Sequence, residues 1–129
     1  MTLVDNSDSL FVNEPRYILG MKLFNSCDWY RAHDVFEEIW HETIGPERQT
    51  LQGILQIAVA QVHLANGNTN GATILYGEAL GRLRNSRFDS LGLDISELCK
   101  IAATRLNYLQ NGKDLSTCSI PFLDLLISQ

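Results

Sequence analysis

Two ionisable side chains, His33 and Glu37, stand one helical turn apart in the segment that precedes Gly45-Pro46. Residues separated by four positions project from the same face of an α-helix, so the imidazole and the carboxylate are within reach of each other. The pair could supply two ligands to a metal ion. Alternatively, the carboxylate could orient the imidazole for general acid–base catalysis. His33 and Glu37 are therefore the candidate catalytic residues.

A stripe of polar residues follows Gly45-Pro46 and consists of Arg48, Gln52, Gln56 and His63. On a helical wheel at about 100° per residue, these four positions fall within an arc of roughly 80°, and apolar residues fill nearly all of the remainder. A helix that is apolar on almost every side is expected in the middle of a bundle. An unpaired amide or imidazole costs about 1–3 kcal/mol there, so we expect this polar stripe to be buried and paired.

The helix that carries His33 is the expected partner of the polar stripe. Two helices joined by so short a link pack antiparallel. Equal rise per residue then brings His33 and Glu37 level with Gln52 and Gln56. The sequence predicts that these four residues meet, with His63 within about two helical turns of them.

Three interpretations of this predicted cluster stay open. In the first, favoured for buried polar stripes in helical bundles, a structural network pairs Glu37 with Arg48 or His33 while the glutamines fix helix register. In the second, the glutamine amides hold a small polar ligand, since each amide offers donors and an acceptor. In the third, His33 and Glu37 act in a metal site or an acid–base enzyme.

A metal site would use His33 and Glu37, with His63 as a third candidate ligand. The pattern is incomplete, however. The chain has neither the Glu-x-x-His pairs of di-iron bundles nor the two histidines that flank a glutamate in zincins, and glutamine is a poor ligand for zinc or iron. The sequence therefore assigns no reaction and requires no cofactor.

Helical periodicity extends over most of the chain and predicts an all-α fold, a compact bundle of about five helices built on antiparallel helical hairpins. The predicted helices run over 15–25, from Asp28 to before Gly45, over 47–66, from a cap at Thr69 or Asn70 through Leu83, and from Asp94 or Ser96 to Asn111. Asn13 is the expected cap of the first helix. No segment alternates apolar and polar residues between turns, so no sheet is predicted. The least exposed residues are expected to include Leu51, Leu55, Ala58 and Val62.

The length of 129 residues is that of one domain. Residues 1–12 are expected to form a loosely held arm, and 113–129 a C-terminal tail. The apolar part of this tail, Phe122 to Ile127, is expected either to cap the bundle or to dock on a partner.

Charge and cysteine usage limit the partners and the compartment. A net charge of −5 gives no basic surface for a phosphate backbone, so nucleic acid is not an expected partner. No signal peptide or membrane-spanning stretch is visible, so no membrane partner is expected. The three cysteines, Cys27, Cys99 and Cys118, match no metal or redox spacing. They are typical of free thiols in a cytoplasmic protein.

The same polar residues carry a family resemblance. The motif consists of Phe24-Asn25, Tyr30, Ala32-His33, Glu37, Trp40, Gly45-Pro46-Glu47-Arg48, Leu51-Gln52-Gly53, Gln56, His63, Gly67-Asn68 and Gly71-Ala72. It resembles the signature of the family known as domain of unknown function 309, over roughly residues 20 to 83 with a core at 24–83. The resemblance implies a compact helical protein without an established activity, and it emphasises His33, Glu37, Trp40, Arg48, Gln52, Gln56 and His63.

Two positions depart from the family pattern. Cys27 stands where glycine is common, in the tight turn before the second helix, and Asp34 stands where glutamate is usual. The first departure bears on the geometry of the turn. The second bears on any role for a long carboxylate at that position.

A protein-interaction module is the alternative from another functional class. The stretch from Ala58 to Leu80, with its Asn66-Gly67-Asn68 turn, is similar to one tetratricopeptide hairpin, but no second copy follows at the required period. Gly77 and Gly81 permit close helix contact on the outer face of the fourth helix, which makes a homodimer one option.

Overall fold

The structure, a computed structural model, describes residues 13–126. The α-helices that lie wholly within this range are α1 (Pro15–Asn25), α2 (Trp29–Glu42), α3 (Glu47–Ala65), α4 (Thr69–Arg84) and α5 (Ile95–Gln110). One 3-10 turn, Ser90–Gly92, lies between α4 and α5, and another, Leu115–Thr117, follows α5. Extended pairing in the described range is limited to one antiparallel bridge between Leu93 and Leu125. The predicted all-α class with five helices is confirmed. The arm predicted at 1–12, and Ile127 in the tail, lie outside the described residues.

Side-chain caps begin three of the helices. The Asp94 carboxylate accepts the N–H of Glu97 at 2.9 Å, which confirms Asp94 as the cap of α5. The other two caps are shifted from their predicted positions. Glu14, rather than Asn13, accepts from the first turn of α1, and Asn68, rather than Thr69 or Asn70, caps α4 by accepting from the third residue of the helix.

Left-handed residues end α1 and α3. Cys27 has φ +63°, and Gly67 has φ +77°. After α1, the N–H of Asp28 donates to the Leu23 carbonyl at 2.9 Å and the N–H of Cys27 to the Phe24 carbonyl at 3.0 Å. These two bonds form a Schellman motif, which satisfies carbonyls that the helix itself leaves open. The tight turn therefore forms although a cysteine stands in the position that favours glycine.

Each helix packs against the next in chain order, with α3 in contact with both α2 and α4. Short connections between consecutive helices require them to run antiparallel. Leu51 and Ala58 on α3 are fully buried, as predicted. Leu55 and Val62 are partly exposed, so the prediction is wrong for these two residues. They lie at the margin of the apolar arc, beside the polar stripe.

The segment after α5 returns to α1 and closes the bundle. The Asn25 side chain donates to the Leu123 carbonyl at 2.9 Å and accepts the Leu123 N–H at 2.7 Å. The N–H of Leu126 donates to the Gly92 carbonyl at 2.8 Å, in the connection before α5, and the neighbouring Leu91 carbonyl accepts from the Tyr17 hydroxyl at 2.8 Å. Leu123 is buried, whereas Leu126 is exposed. The described part of the C-terminal tail therefore caps the bundle.

The three cysteines are free thiols, as predicted. Cys27 is exposed, and Cys99 and Cys118 are partly buried. None of the helices described within 13–126 is both long enough and apolar enough to cross a lipid bilayer.

Candidate functional site

His33 and Glu37 form the contact that their spacing predicts. The His33 Nε2 atom lies 3.0 Å from Glu37 Oε1, and the other carboxylate oxygen lies 3.7 Å from His41 Nε2. The second ring nitrogen of His33 lies 3.4 Å from the Asp34 carboxylate. The His33 side chain is 23% exposed and that of Glu37 41%. The pair is therefore half-buried and reachable from solvent.

Gln56 is directed away from this pair. Its Nε2 atom donates to the Glu78 carboxylate at 2.9 Å, and its Oε1 atom accepts from Arg82 Nε at 3.1 Å, so both groups of the amide are used on α4. Gln56 is buried, as expected. Gln52 is half-buried, and its side-chain amide hydrogen-bonds to no other described residue. The structure brings His33 to Glu37 but does not bring either glutamine to them.

Arg48 lies on Trp40. Its guanidinium carbon is 3.9 Å from the ring centroid, and its Nε atom donates to the Trp40 carbonyl at 3.4 Å. A guanidinium over an indole face is a favourable cation–π contact. The Trp40 Nε1 atom is buried and has no hydrogen-bond partner among the described residues. Arg48 is exposed, contrary to the expectation that the polar stripe is buried.

His63 lies in the last turn of α3, beside the connection to α4. Its Nδ1 atom lies 3.3 Å from the Asn68 side-chain amide, whose oxygen caps α4. This geometry favours the tautomer in which Nδ1 accepts a hydrogen bond. Among residues 13–126, no group of three or more His, Cys, Asp or Glu side chains is arranged to hold a metal ion.

The side chains of the polar stripe contact two different helices, because the arc that they occupy on α3 lies between α2 and α4. Arg48 at one edge contacts α2, and Gln56 at the other edge contacts α4. Gln52 and His63, between these edges, are partly exposed. The expected burial therefore holds for Gln56 alone. Helices α2 and α4 cover the flanks of α3 but leave the middle of the stripe partly open.

A hydroxyl cluster near the start of α3 was not predicted from the sequence. The Thr50 hydroxyl donates to Ser86 Oγ at 2.8 Å and lies 3.0 Å from Ser90 Oγ. Ser86 donates in turn to the Arg82 carbonyl at 3.2 Å. Thr50 and Ser90 are buried. The signal that could have indicated this cluster is Thr50 itself, a hydroxyl within the apolar arc of the predicted third helix.

The hydroxyl cluster lines a cavity of about 350 Å³ between the start of α3 and the end of α4. The side chains around it are mostly polar and comprise Glu47, Gln49, Thr50, Asn85, Ser86, Arg87 and Ser90. The Asn85 amide donates to the Gly81 carbonyl at 3.0 Å, and that of Gln49 to the Arg82 carbonyl at 3.4 Å. Their side-chain oxygens accept no hydrogen bond within the described chain, so they remain available as acceptors.

A second buried polar group surrounds Arg105, which is only 5% exposed. One of its terminal nitrogens donates to the Ser119 carbonyl at 2.8 Å, but its Nε atom has no partner among the described residues. The guanidinium lies 5.8 Å from the Tyr76 ring centroid, and the Tyr76 hydroxyl donates to Gln61 Oε1. Burial raises the pKa of Tyr76, which keeps its hydroxyl protonated as a donor.

Comparison with known proteins finds similarity to a family without an assigned activity. Residues 17–75 match the model of the family described as domain of unknown function DUF309, which confirms the family resemblance over that range. An uncharacterised protein of Aquifex aeolicus is 25% identical over 103 residues, which cover 70% of this chain and 31% of the relative. The uncharacterised protein YpuF of Bacillus subtilis is 26% identical over 100 residues, which cover 75% and 58%. The matched region is thus less than two thirds of either relative.

Proposed function

We propose that this protein binds a small polar ligand rich in hydrogen-bond donors, in the cavity between the start of α3 and the end of α4. The observation that carries the proposal is the linked set of Thr50, Ser86 and Ser90 hydroxyls, with contacts of 2.8 and 3.0 Å, on the wall of a cavity of about 350 Å³. Most side-chain hydrogen bonds in proteins go to backbone or water, so three linked hydroxyls are uncommon. The volume is in the range of small-molecule sites.

The direction of the hydroxyl hydrogen bonds leaves an acceptor at the cavity. Thr50 donates to Ser86, and Ser86 donates to the Arg82 carbonyl. Because each hydroxyl has one proton, the 3.0 Å contact between Thr50 and Ser90 is then donated by Ser90. The Ser90 oxygen keeps its lone pairs for a donor on the ligand.

Other groups around the cavity also favour a donor-rich ligand. The side-chain oxygens of Asn85 and Gln49 are acceptors, and Glu47 adds negative charge. Arg87 also lines the cavity, but its Nε atom and one terminal nitrogen already donate to the Asp89 carboxylate at 3.1 and 3.2 Å. The N–H groups of Arg48 and Gln49, at the start of α3, are already bonded to the carbonyls of Gly45 and Pro46 at 3.1 and 3.2 Å. A polyol or a monosaccharide is therefore the ligand class that fits best.

The test is thermal unfolding with myo-inositol, D-ribose and D-glucose as probes. A ligand at a hundred times its dissociation constant stabilises the folded state by about 2.7 kcal/mol, which raises the unfolding midpoint by several degrees. We expect at least one probe to raise the midpoint of the wild-type protein. Ser90→Ala should abolish the rise, whereas Ser96→Ala, at an exposed position on α5, should retain it. Absence of any rise, or a rise that persists in Ser90→Ala, would refute this function.

In this proposal the polar stripe itself is structural. Gln56 links α3 to α4 through Glu78 and Arg82, and Arg48 links α3 to α2 through Trp40. These contacts fix the positions of the three helices relative to one another. The cavity lies between two of them, so its shape depends on the same contacts.

A second candidate function is proton transfer by His33. It is favoured by the 3.0 Å contact with Glu37 and by the partial exposure of both side chains. The Glu37 carboxylate at Nε2 orients the imidazole, and Nδ1, which lies 3.4 Å from the Asp34 carboxylate, is the nitrogen that takes the proton in general base catalysis. Hydrolysis of p-nitrophenyl acetate provides the probe. We expect His33→Gln and Glu37→Gln each to slow it by about tenfold or more, and His63→Gln to leave it unchanged. Equal rates in all three variants would exclude this candidate.

A further inference from the structure

A second cavity, mainly apolar, lies along α1 beside Leu125. Its volume is about 470 Å³, and its apolar wall includes Ile18, Met21 and Leu125 beside the Tyr17 ring. Ile18 is 43% exposed and Leu125 39%. Apolar surface of this extent is stabilised when a ligand removes it from water.

One charged side chain, Lys22, lies on the described wall of this cavity. Its ammonium group forms no ion pair with any residue in the range 13–126. The neighbouring polar groups are already used. Asn25 is bonded through both of its amide groups to the Leu123 backbone, and the Ser26 hydroxyl donates to the Lys22 carbonyl at 2.6 Å. A ligand here therefore meets an apolar surface and one available cation.

We propose that this cavity binds an amphipathic monocarboxylate, a medium-chain fatty acid, with its chain on Ile18, Met21 and Leu125 and its carboxylate on Lys22. Charge complementarity selects the head group, because Lys22 is the charged residue on the described wall and forms no ion pair with any described residue. The apolar wall selects the chain. This cavity shares no lining residue with the polar cavity, so the two sites can be tested separately.

The carboxylate contact requires a lysine and not merely a long side chain. A flexible ammonium group binds an anion as a point charge, while the methylene stem covers apolar surface. Substitution by methionine keeps much of that stem and removes the charge. Lys22→Met is thus the variant that separates the head-group contact from the chain contact.

The experiment is a ¹H–¹⁵N NMR titration of the full chain with decanoate below its micelle concentration. Decanol and acetate serve as the probes that lack the charge and the chain, respectively. We expect decanoate to shift the amides of Ile18, Met21 and Leu125, and acetate to have no effect. Lys22→Met should weaken decanoate binding by about tenfold, because a charge-assisted contact is lost, and should leave decanol binding unchanged. Lys100→Met, on the exposed face of α5, is the matched control and should bind as wild type.

Two results would overturn the proposal. If decanoate leaves these amides unshifted, the cavity does not take such a ligand. The same result is expected if residues 1–12 of the chain, or a second copy of it, occupy the cavity. Sedimentation at increasing protein concentration would distinguish a second copy from the chain's own residues. If decanoate binds equally well to Lys22→Met, the assigned head-group contact is wrong. Neither result bears on the function proposed for the polar cavity, which is tested by thermal unfolding.

Discussion

The Gln56 side chain on α3 donates to the Glu78 carboxylate on α4 at 2.9 Å. The amide is therefore directed towards α4 and away from the His33–Glu37 pair on α2. The amide oxygen accepts from Arg82 at 3.1 Å, so the whole amide is committed to one neighbouring helix. Gln56 is therefore a link between α3 and α4. Such a link contributes to stability rather than to chemistry at the α2 surface.

Truncation of Gln56 should destabilise the fold. Gln56→Ala removes a buried amide that is hydrogen-bonded to both Glu78 and Arg82. We expect the free energy of unfolding to fall by about 1–3 kcal/mol, measured by urea denaturation at neutral pH.

Gln52→Ala is the matched control for this change. Gln52 lies one turn earlier on α3 and is half-buried, and its side-chain amide hydrogen-bonds to no described residue. Its truncation should cost less than about 0.5 kcal/mol, as for surface substitutions. Equal losses in the two variants would contradict the role assigned to Gln56.

Glycine at position 27 should stabilise the protein. Cys27 has φ +63°, in the left-handed region where a Cβ atom is strained. Cys27→Gly removes this strain and keeps the Schellman bonds of Asp28 and Cys27 to the end of α1. We expect a gain of about 1 kcal/mol in the free energy of unfolding, after the larger backbone entropy of glycine in the unfolded state is included.

The reciprocal control is Gly67→Cys at the end of α3. Gly67 has φ +77°, and a Cβ atom there would meet no atom within 4 Å, so only the backbone conformation is affected. We expect a loss of about 1 kcal/mol. A stabilising Gly67→Cys, or a destabilising Cys27→Gly, would show that strain in this conformation does not determine stability at these turns.

The helices could be predicted from the sequence because their signals are local. Gly45-Pro46 and Gly67 mark chain reversals, and apolar periodicity identifies the helix between them. The sequence predicts the cap of α4 one or two residues late, because Asn68, Thr69 and Asn70 are all capping types. Only the backbone geometry decides which side chain reaches the N–H of Gly71.

The arrangement of the site could be predicted only in part. His33 and Glu37 contact each other because they lie on one helix, where spacing alone determines proximity. Gln56 lies at the edge of an arc that two helices flank, and its direction depends on which neighbour offers partners. The contact of Thr50 with Ser90 joins residues forty positions apart. Such a contact depends on tertiary packing, which a helical wheel does not describe.

Acid should weaken the link that Arg16 makes between α1 and α2. Arg16 contacts Glu14 at 2.9 Å and Glu42 at 2.8 Å, and its hydrogen bonds lower the pKa of both carboxyls below their ordinary value of 4.5. A carboxyl whose folded pKa is lowered contributes stability above its unfolded pKa and loses it as pH falls through the folded value. The contribution is therefore complete above pH 4.5 and declines below it.

The comparison that tests this link is Arg16→Met against wild type, by urea denaturation between neutral pH and pH 3. The stability difference should be largest at neutral pH and shrink below pH 4.5, and high salt should reduce it because the pairs are solvent-exposed. Arg31→Met on α2 removes a more exposed arginine that pairs only with Asp28 among the described residues, and it should change little. A difference that is independent of pH would contradict the assigned ion pairs.

The three thiols should differ in reactivity in the folded protein. Burial raises the pKa of the Cys99 thiol, whereas Cys27 is exposed on the turn after α1. The thiolate is the reacting form, so a raised pKa lowers the reaction rate at neutral pH, and partial burial also limits access. With a thiol-specific chromogenic disulfide at pH 7, we expect Cys27 to react first and Cys99 more slowly. Raising the pH should accelerate Cys99 until the thiolate predominates.

Cys27→Ser should remove the fast phase, and Cys99→Ser a slow one. Unfolding without reductant should release three thiols per chain, because none of the cysteines is bridged. A count of one, or a fast phase that persists in Cys27→Ser, would contradict this assignment.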